Sequence, residues 1–185
     1  MFIQTEATPN PATLKFLPGQ PVMPEGTFEA RDPAEAERSP LAKALLQVPG
    51  VSGVFFAPDF ISVTKSEGEW QHLRPAILGV ITEFYLSGEP ILAGEPAPID
   101  AAGEFFDEKD SEVVDTIKEL IETRVRPAVA GDGGDITFKG YRDGVVYLNM
   151  KGACSGCPSS TATLKHGIQN LFHHFLPEVR AIEQV

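Results

Sequence analysis

The only two cysteines of the chain stand three residues apart, in the run Cys154-Ser155-Gly156-Cys157-Pro158. As thiolates they are ligands for zinc or for the iron of an iron–sulfur cluster, and as a dithiol they are a redox couple. Two thiolates are half of the set of four that a four-cysteine zinc site or an iron–sulfur cluster takes. A second copy of the chain would supply the missing pair. Proline is favoured at the first helical position, so Pro158 is expected to open a helix with Cys157 as its N-cap. A helix N-terminus offers free N–H groups and partial positive charge, and both favour thiolate over thiol. Lys151 and Lys165 are the nearest cations in sequence. Gly152 and Gly156 allow a tight turn and a close approach of backbone amides to a bound group.

Four readings of the pair compete. Two inert buried cysteines are the bland one, and a glycine-punctuated turn is a poor place to bury them. A thioredoxin-like couple is the second, but there the motif joins the first strand of the fold to a long helix, whereas here it follows a helix and two strands. The third is a zinc site of two cysteines and two histidines within one chain. His166 lies nine residues beyond Cys157, roughly 13 Å further along the same helix. His173 and His174 are further still, and zinc holds its ligands within about 2.0–2.3 Å. His72 would have to come from the other half of the chain. The fourth is a metal or cluster shared by two chains; the ligand count alone leaves zinc and iron–sulfur both open.

The elements that must hold this turn are legible around it. Val113, Val114, Ile117, Leu120, Ile121 and Val125 form a helical apolar stripe. Ser111 is the expected N-cap, and Pro127 is expected to kink or end the helix. The loop Gly131-Asp132-Gly133-Gly134-Asp135 follows. It lacks the Gly-Lys-Ser/Thr ending of a phosphate loop and the acidic ligand spacing of an EF-hand. Its expected role is a turn that fixes the first helix against the sheet, with Asp132 and Asp135 within reach of the cysteine turn. Residues 136–141 and 145–150 read as strands joined through Asp143-Gly144, a strong hairpin signal. A helix then runs from Pro158 through Phe172 and Phe175 to Pro177, and residues 179–185 read as an edge strand. His173-His174 reads as a solvated helix end. The order is α-β-β-α-β.

The first half reads as β-β-α-β-β-α. Strands are expected at residues 2–7 and 14–17, and a helix at Ser39-Pro40 that Pro49-Gly50 ends. A hairpin is expected over residues 51–56 and 60–65. A second helix carries Trp70, Leu73, Ile77, Val80, Ile81 and Phe84, with Pro75 expected near its start. No catalytic constellation stands out in either half. Between them, residues 88–108 hold six acidic residues and no basic one, and are rich in Pro, Gly and Ala. They read as a flexible acidic linker with a span on the order of 25 Å. The fold class is therefore α+β, in two small domains, 1–87 and 109–185, joined by the linker 88–108.

Composition bounds the function. The net charge is −11, which argues against nucleic acid as a partner. No apolar run approaches the roughly 20 residues of a membrane span. Residues 1–10 resemble neither a secretory signal nor a transit peptide. The expected location is cytoplasmic, with a processed mitochondrial protein as the alternative.

The run Gly152-Ala153-Cys154-Ser155-Gly156-Cys157-Pro158-Ser159-Ser160, preceded by Gly131-Asp132-Gly133-Gly134-Asp135, closely resembles the C-terminal domain of NifU found in the Nfu family. Thr5-Glu6-Ala7-Thr8-Pro9-Asn10-Pro11, with Leu14-Lys15-Phe16, resembles the Nfu N-terminal domain. Together they cover nearly the whole chain outside the linker. The resemblance implies a non-enzymatic iron–sulfur scaffold or carrier. In that family the two cysteines, here Cys154 and Cys157, bind a [4Fe–4S] cluster across a homodimer, with a [2Fe–2S] form as the variant. It implies upstream assembly proteins as donors and apo iron–sulfur proteins as acceptors. The alternative from another class is a thiol–disulfide oxidoreductase using the same pair.

Overall fold

The computed structural model describes residues 1–94, 103–155 and 158–185, with residues 158–160 described by backbone alone. The chain divides into two compact units, Met1–Ala97 and Pro98–Val185.

Unit 1 is a five-stranded antiparallel sheet in the order β1-β2-β5-β4-β3. Its strands are β1 (Gln4–Ala7), β2 (Thr13–Leu17), β3 (Phe28–Ala30), β4 (Val51–Phe56) and β5 (Ile61–Lys65). The register places Phe16 opposite Ile61, and Val54 and Phe56 opposite Val63 and Ile61, so these side chains share one face. Helices α2 (Pro40–Leu46) and α3 (Trp70–Ser87) bring Leu41, Leu45, Ile77 and Ile81 into the same core. Ser39 caps α2, accepting a 3.2 Å bond from the Ala42 N–H. Pro75 sits inside α3, in its second turn rather than at its start. The short β3 and α1 (Pro33–Ala36) lie outside the sequence expectation. β3 has only three residues, too few for alternation to register. α1 did carry a signal: Asp32 accepts from the Glu35 N–H at 2.8 Å, with Pro33 next.

Unit 2 follows the expected α-β-β-α-β order. Strands β6 (Gly134–Arg142), β7 (Val145–Gly152) and β8 (Ala181–Gln184) form a sheet in the order β6-β7-β8. β6 and β7 are the antiparallel hairpin, and α6 (Pro158–Phe175) carries the chain over to β8, which runs parallel to β7. Val146, Leu148 and Met150 alternate inward along β7. They meet Val114, Ile117 and Ile121 from the first helix, and Ile168 and Phe172 from α6.

Three local expectations change. α4 (Ser111–Leu120) is entered through a short 3-10 turn, Glu108–Asp110, so Asp110 and not Ser111 is the N-cap. Pro127 does not end the helix: the backbone widens to a π segment over Ile121–Val125 and continues as α5 (Arg126–Gly131). A proline has no N–H for the carbonyl four residues back and crowds it, and widening the preceding turn accommodates both.

The third is the linker, which is packed at both ends. On the unit 1 side, Ile91 and Leu92 lie against the core and the Ala93 N–H donates to the Arg38 carbonyl at 2.7 Å. On the unit 2 side, Phe105 bridges to β6. Its N–H donates to the Lys139 carbonyl at 3.1 Å, and its own carbonyl accepts from the Tyr141 N–H at 2.9 Å. Linker residues 95–102 lie outside the described residues.

Candidate functional site

The site begins where β7 ends. Gly134 and Gly152 are partners in the β6–β7 ladder, and the chain leaves it at Gly152 with φ of 67°, the left-handed region that glycine enters without strain. The next residues are pinned to the loop before β6. The Ala153 N–H donates to the Gly133 carbonyl at 3.2 Å. The Ser155 N–H and hydroxyl both donate to the Gly152 carbonyl, at 3.1 and 2.9 Å. The Thr161 hydroxyl donates to the Cys154 carbonyl at 3.0 Å, which ties the first turn of α6 to the cysteine turn.

Cys154 is only 5% exposed and belongs to the hydrophobic core of unit 2. The expectation that a glycine-punctuated turn is a poor place to bury the cysteines is therefore corrected for Cys154. The reason is Gly134: a Cβ there would lie 2.6 Å from the Cys154 Sγ and 2.7 Å from the Lys151 carbonyl oxygen. The missing side chain is the space the sulfur fills. The glycine that makes the pocket stands on β6, outside the cysteine turn.

The electrostatics also differ from the expectation of a readily formed thiolate. The Cys154 thiol is pushed up to about 12, by burial first and then by the charges of Asp132 and Asp135. Cys157, the residue expected at the helix N-cap, lies outside the described residues. Of the two expected cations, Lys165 pairs with Glu183 at 3.3 Å, and Lys151 is the ladder partner of Asp135.

Asp135 is the buried charge nearest to this chemistry that sequence reading did not resolve. It is 4% exposed. Arg126 grips both its oxygens, Nε to Oδ1 at 2.8 Å and Nη2 to Oδ2 at 3.0 Å, and the Ile136 N–H donates to Oδ1 at 2.9 Å. Glu122 holds the third corner, accepting from Arg126 Nη1 at 2.7 Å. The pair raises the Arg126 guanidinium well above its ordinary value, so the cation is permanent. The loop thus does fix the first helix against the sheet, as expected, and the bond that does so is Arg126–Asp135. Glu122 and Arg126, four apart on a helical stretch, were a readable signal for part of it; the Asp135 partner was not.

The histidines stay apart from the cysteine turn. His166, His173 and His174 are exposed on α6. His173 Nδ1 lies 3.3 Å from the Val179 carbonyl, and His174 stacks edge-on with Phe175. His72 belongs to unit 1. Among the described residues, no group of three or more His, Cys, Asp or Glu side chains could hold a metal ion. Among them, too, no helix is long and apolar enough to cross a membrane.

Comparison with known proteins gives the site its context. Residues 3–88 match the family model described as scaffold protein Nfu/NifU N terminal, and residues 117–183 match the NifU-like domain. The chain is 50% identical over its whole length to the human "NFU1 iron-sulfur cluster scaffold homolog, mitochondrial", of which it covers 72%. It is 51% identical to the protein of that name from Drosophila sechellia, covering 65% of it. It is 49% identical to "NifU-like protein 4, mitochondrial" from Arabidopsis thaliana, covering 66% of that protein. Both domain models matched in order on one chain, and a relative half identical along all of it, show that the chain belongs to the Nfu family of iron–sulfur cluster scaffold proteins.

Proposed function

We propose that this chain is an iron–sulfur carrier that holds a [4Fe–4S] cluster between two copies of itself, through Cys154 and Cys157 of each, and passes it to apo target proteins. The observation that carries the reading is the placement of the only two cysteines on the β7–α6 turn, in a chain whose described residues gather no metal site of their own. Two thiolates from each of two chains complete the usual cluster set. The cluster is cargo, and a [2Fe–2S] form is the variant the same ligands would accept.

The chain's own residues set the terms of loading. To ligate iron the Cys154 thiol must lose a proton that burial and the charges of Asp132 and Asp135 help it keep. The bonds from Ala153 to Gly133 and from Thr161 to the Cys154 carbonyl hold the turn in place. A carrier that contributes only two ligands per chain surrenders them stepwise to the thiolates of an acceptor. The competing reading, a thiol–disulfide oxidoreductase, needs a reactive thiolate at physiological pH. Cys154, buried and pushed up to about 12, is not that thiolate, which leaves the role to Cys157, outside the described residues. The relatives are named as scaffolds, which fits a role without turnover, and as mitochondrial, which favours the mitochondrial alternative over a cytoplasmic location. Subcellular fractionation tests the latter.

Anaerobic reconstitution of the full chain with iron and sulfide tests the function. About four iron and four sulfide per two chains are expected. They should be lost in Cys154→Ala and in Cys157→Ala, with release to an apo acceptor protein. A chain that binds no iron and reduces disulfides would sink the proposal.

A further inference from the structure

One side-chain hydrogen bond at the cysteine turn has a use that the carrier reading leaves unassigned. Thr161 stands in the first turn of α6, and its hydroxyl donates to the carbonyl of Cys154 itself at 3.0 Å. The other bonds described around this cysteine run towards the sheet. The Ala153 N–H donates to the Gly133 carbonyl, and the Ser155 N–H and hydroxyl donate to the Gly152 carbonyl. They fasten the neighbours of Cys154 to the end of β7 and to the loop before β6. The Thr161 hydroxyl fastens Cys154 on its remaining side, to the helix.

The residue so held has little room. Cys154 is 5% exposed, and its Sγ fills the space that a Gly134 side chain would take. A carbonyl on so buried a residue does not readily exchange a protein donor for water. Removing the hydroxyl therefore leaves an acceptor unpaired. The carbonyl regains a partner by shifting towards solvent, and the Cys154 side chain shifts with its backbone. Thr161 itself is only partly buried, so its side chain is changed without emptying the core.

We propose that Thr161 is a positioning residue: by bonding the Cys154 carbonyl it fixes this cysteine against α6 and so sets how firmly the chain retains its cluster. Groups that hold a metal ligand in place tune how firmly the metal is bound. With the bond made, Cys154 is ordered before the cluster arrives, and retention does not have to offset that ordering. Without it Cys154 has one anchor fewer, and it is surrendered sooner to a competing ligand. The proposal rests on the carrier reading.

The test uses the full chain as wild type, Thr161→Val, Thr161→Ala and Thr161→Ser. Valine keeps the shape and loses the hydroxyl; serine keeps the hydroxyl. Each is loaded anaerobically with iron and sulfide, and the half-life of the cluster against a chelator is followed by visible absorption. Two readouts need no cluster. One is the alkylation rate of Cys154 at fixed pH, in the same series carrying Cys157→Ser. The other is amide exchange at Ala153 and Ser155. Thr161→Val should shorten the half-life several-fold and speed both alkylation and exchange several-fold, with exchange at Val146 and Leu148 unchanged. Thr161→Ser should return all three close to wild type. A Thr161→Val chain that loads and holds its cluster as wild type does overturns the proposal. So does a shortened half-life with unchanged alkylation, or one that Thr161→Ser fails to restore. Equally faster exchange at Val146 and Leu148 would show a general loosening of the unit and overturn it too. A wild type that takes up no cluster overturns the carrier reading, and the proposal with it. If Thr161→Val does not fold, Thr161→Ala decides on the same readouts.

Discussion

At the scale of single residues, the absent side chain of Gly134 matters as much as the sulfur above it. Gly134→Ala puts a methyl group 2.6 Å from the Cys154 Sγ and 2.7 Å from a backbone carbonyl that has little freedom to yield. Overpacking of this kind costs about 1–3 kcal/mol. The variant is expected to melt lower than wild type, which thermal denaturation followed by circular dichroism checks. The raised Cys154 thiol predicts a pH dependence with a definite sign. Its ordinary value is 9.0 and the folded value is about 12. Over that interval the unfolded chain has lost a proton that the folded chain keeps, so stability is full below about pH 9 and falls as pH rises towards 12. Melting temperature against pH should show this fall in the cluster-free protein, and Cys154→Ala should flatten it.

At the scale of elements, the strap at the edge of β6 is the feature that composition concealed. Phe105 lies over Gly140, where a Cβ would approach its ring to 2.5 Å, and stacks on Tyr147 at 5.1 Å between centroids. The Arg142 guanidinium sits 5.4 Å from the same ring. Phe106 turns to Phe138, and Glu104 pairs with Lys118 at 2.5 Å. Aromatic pairs of this kind contribute about 0.5–1.5 kcal/mol beyond their burial. Phe105→Ala should therefore speed amide exchange at Tyr141, which donates to the strap, while leaving exchange at Val146 and Leu148 unchanged. Equal exchange at Tyr141 in both proteins would show that the strap does not protect the edge. The acidic, proline-rich composition of residues 88–108 pointed to a coil throughout. Two adjacent phenylalanines inside it were the contrary signal, and only the glycine at position 140 explains what they meet. The π segment is a similar case: Pro127 announced an irregularity, but not that the helix would widen and go on.

At the scale of the molecule, the two units have separate cores and separate sheets. Unit 2 carries the cysteine turn, and we propose that unit 1 recognises partners or adjusts transfer. A chain reduced to residues 98–185 should keep cluster binding and lose efficiency in delivery to an acceptor; loss of cluster binding would count against the division. Because the strap belongs to unit 2, a chain cut to residues 109–185 should melt lower than one cut to 98–185, and differential scanning calorimetry separates the two. Equal melting temperatures would mean that residues 98–108 contribute nothing to the unit.

By itself the sequence determined the α+β class, the hairpin at Asp143-Gly144, the cap at Ser39 and the place of the cysteine turn between a strand and a helix. These are local matters: alternation, helical spacing and turn chemistry act over a few neighbouring residues and are written in them. Tertiary structure alone decided that Cys154 is buried, that Gly134 makes the space for it, that Arg126 pairs with Asp135, and that Phe105 closes the edge of β6. Each of these joins residues that meet only when one element packs on another, and no local pattern encodes which side chain will stand opposite a glycine.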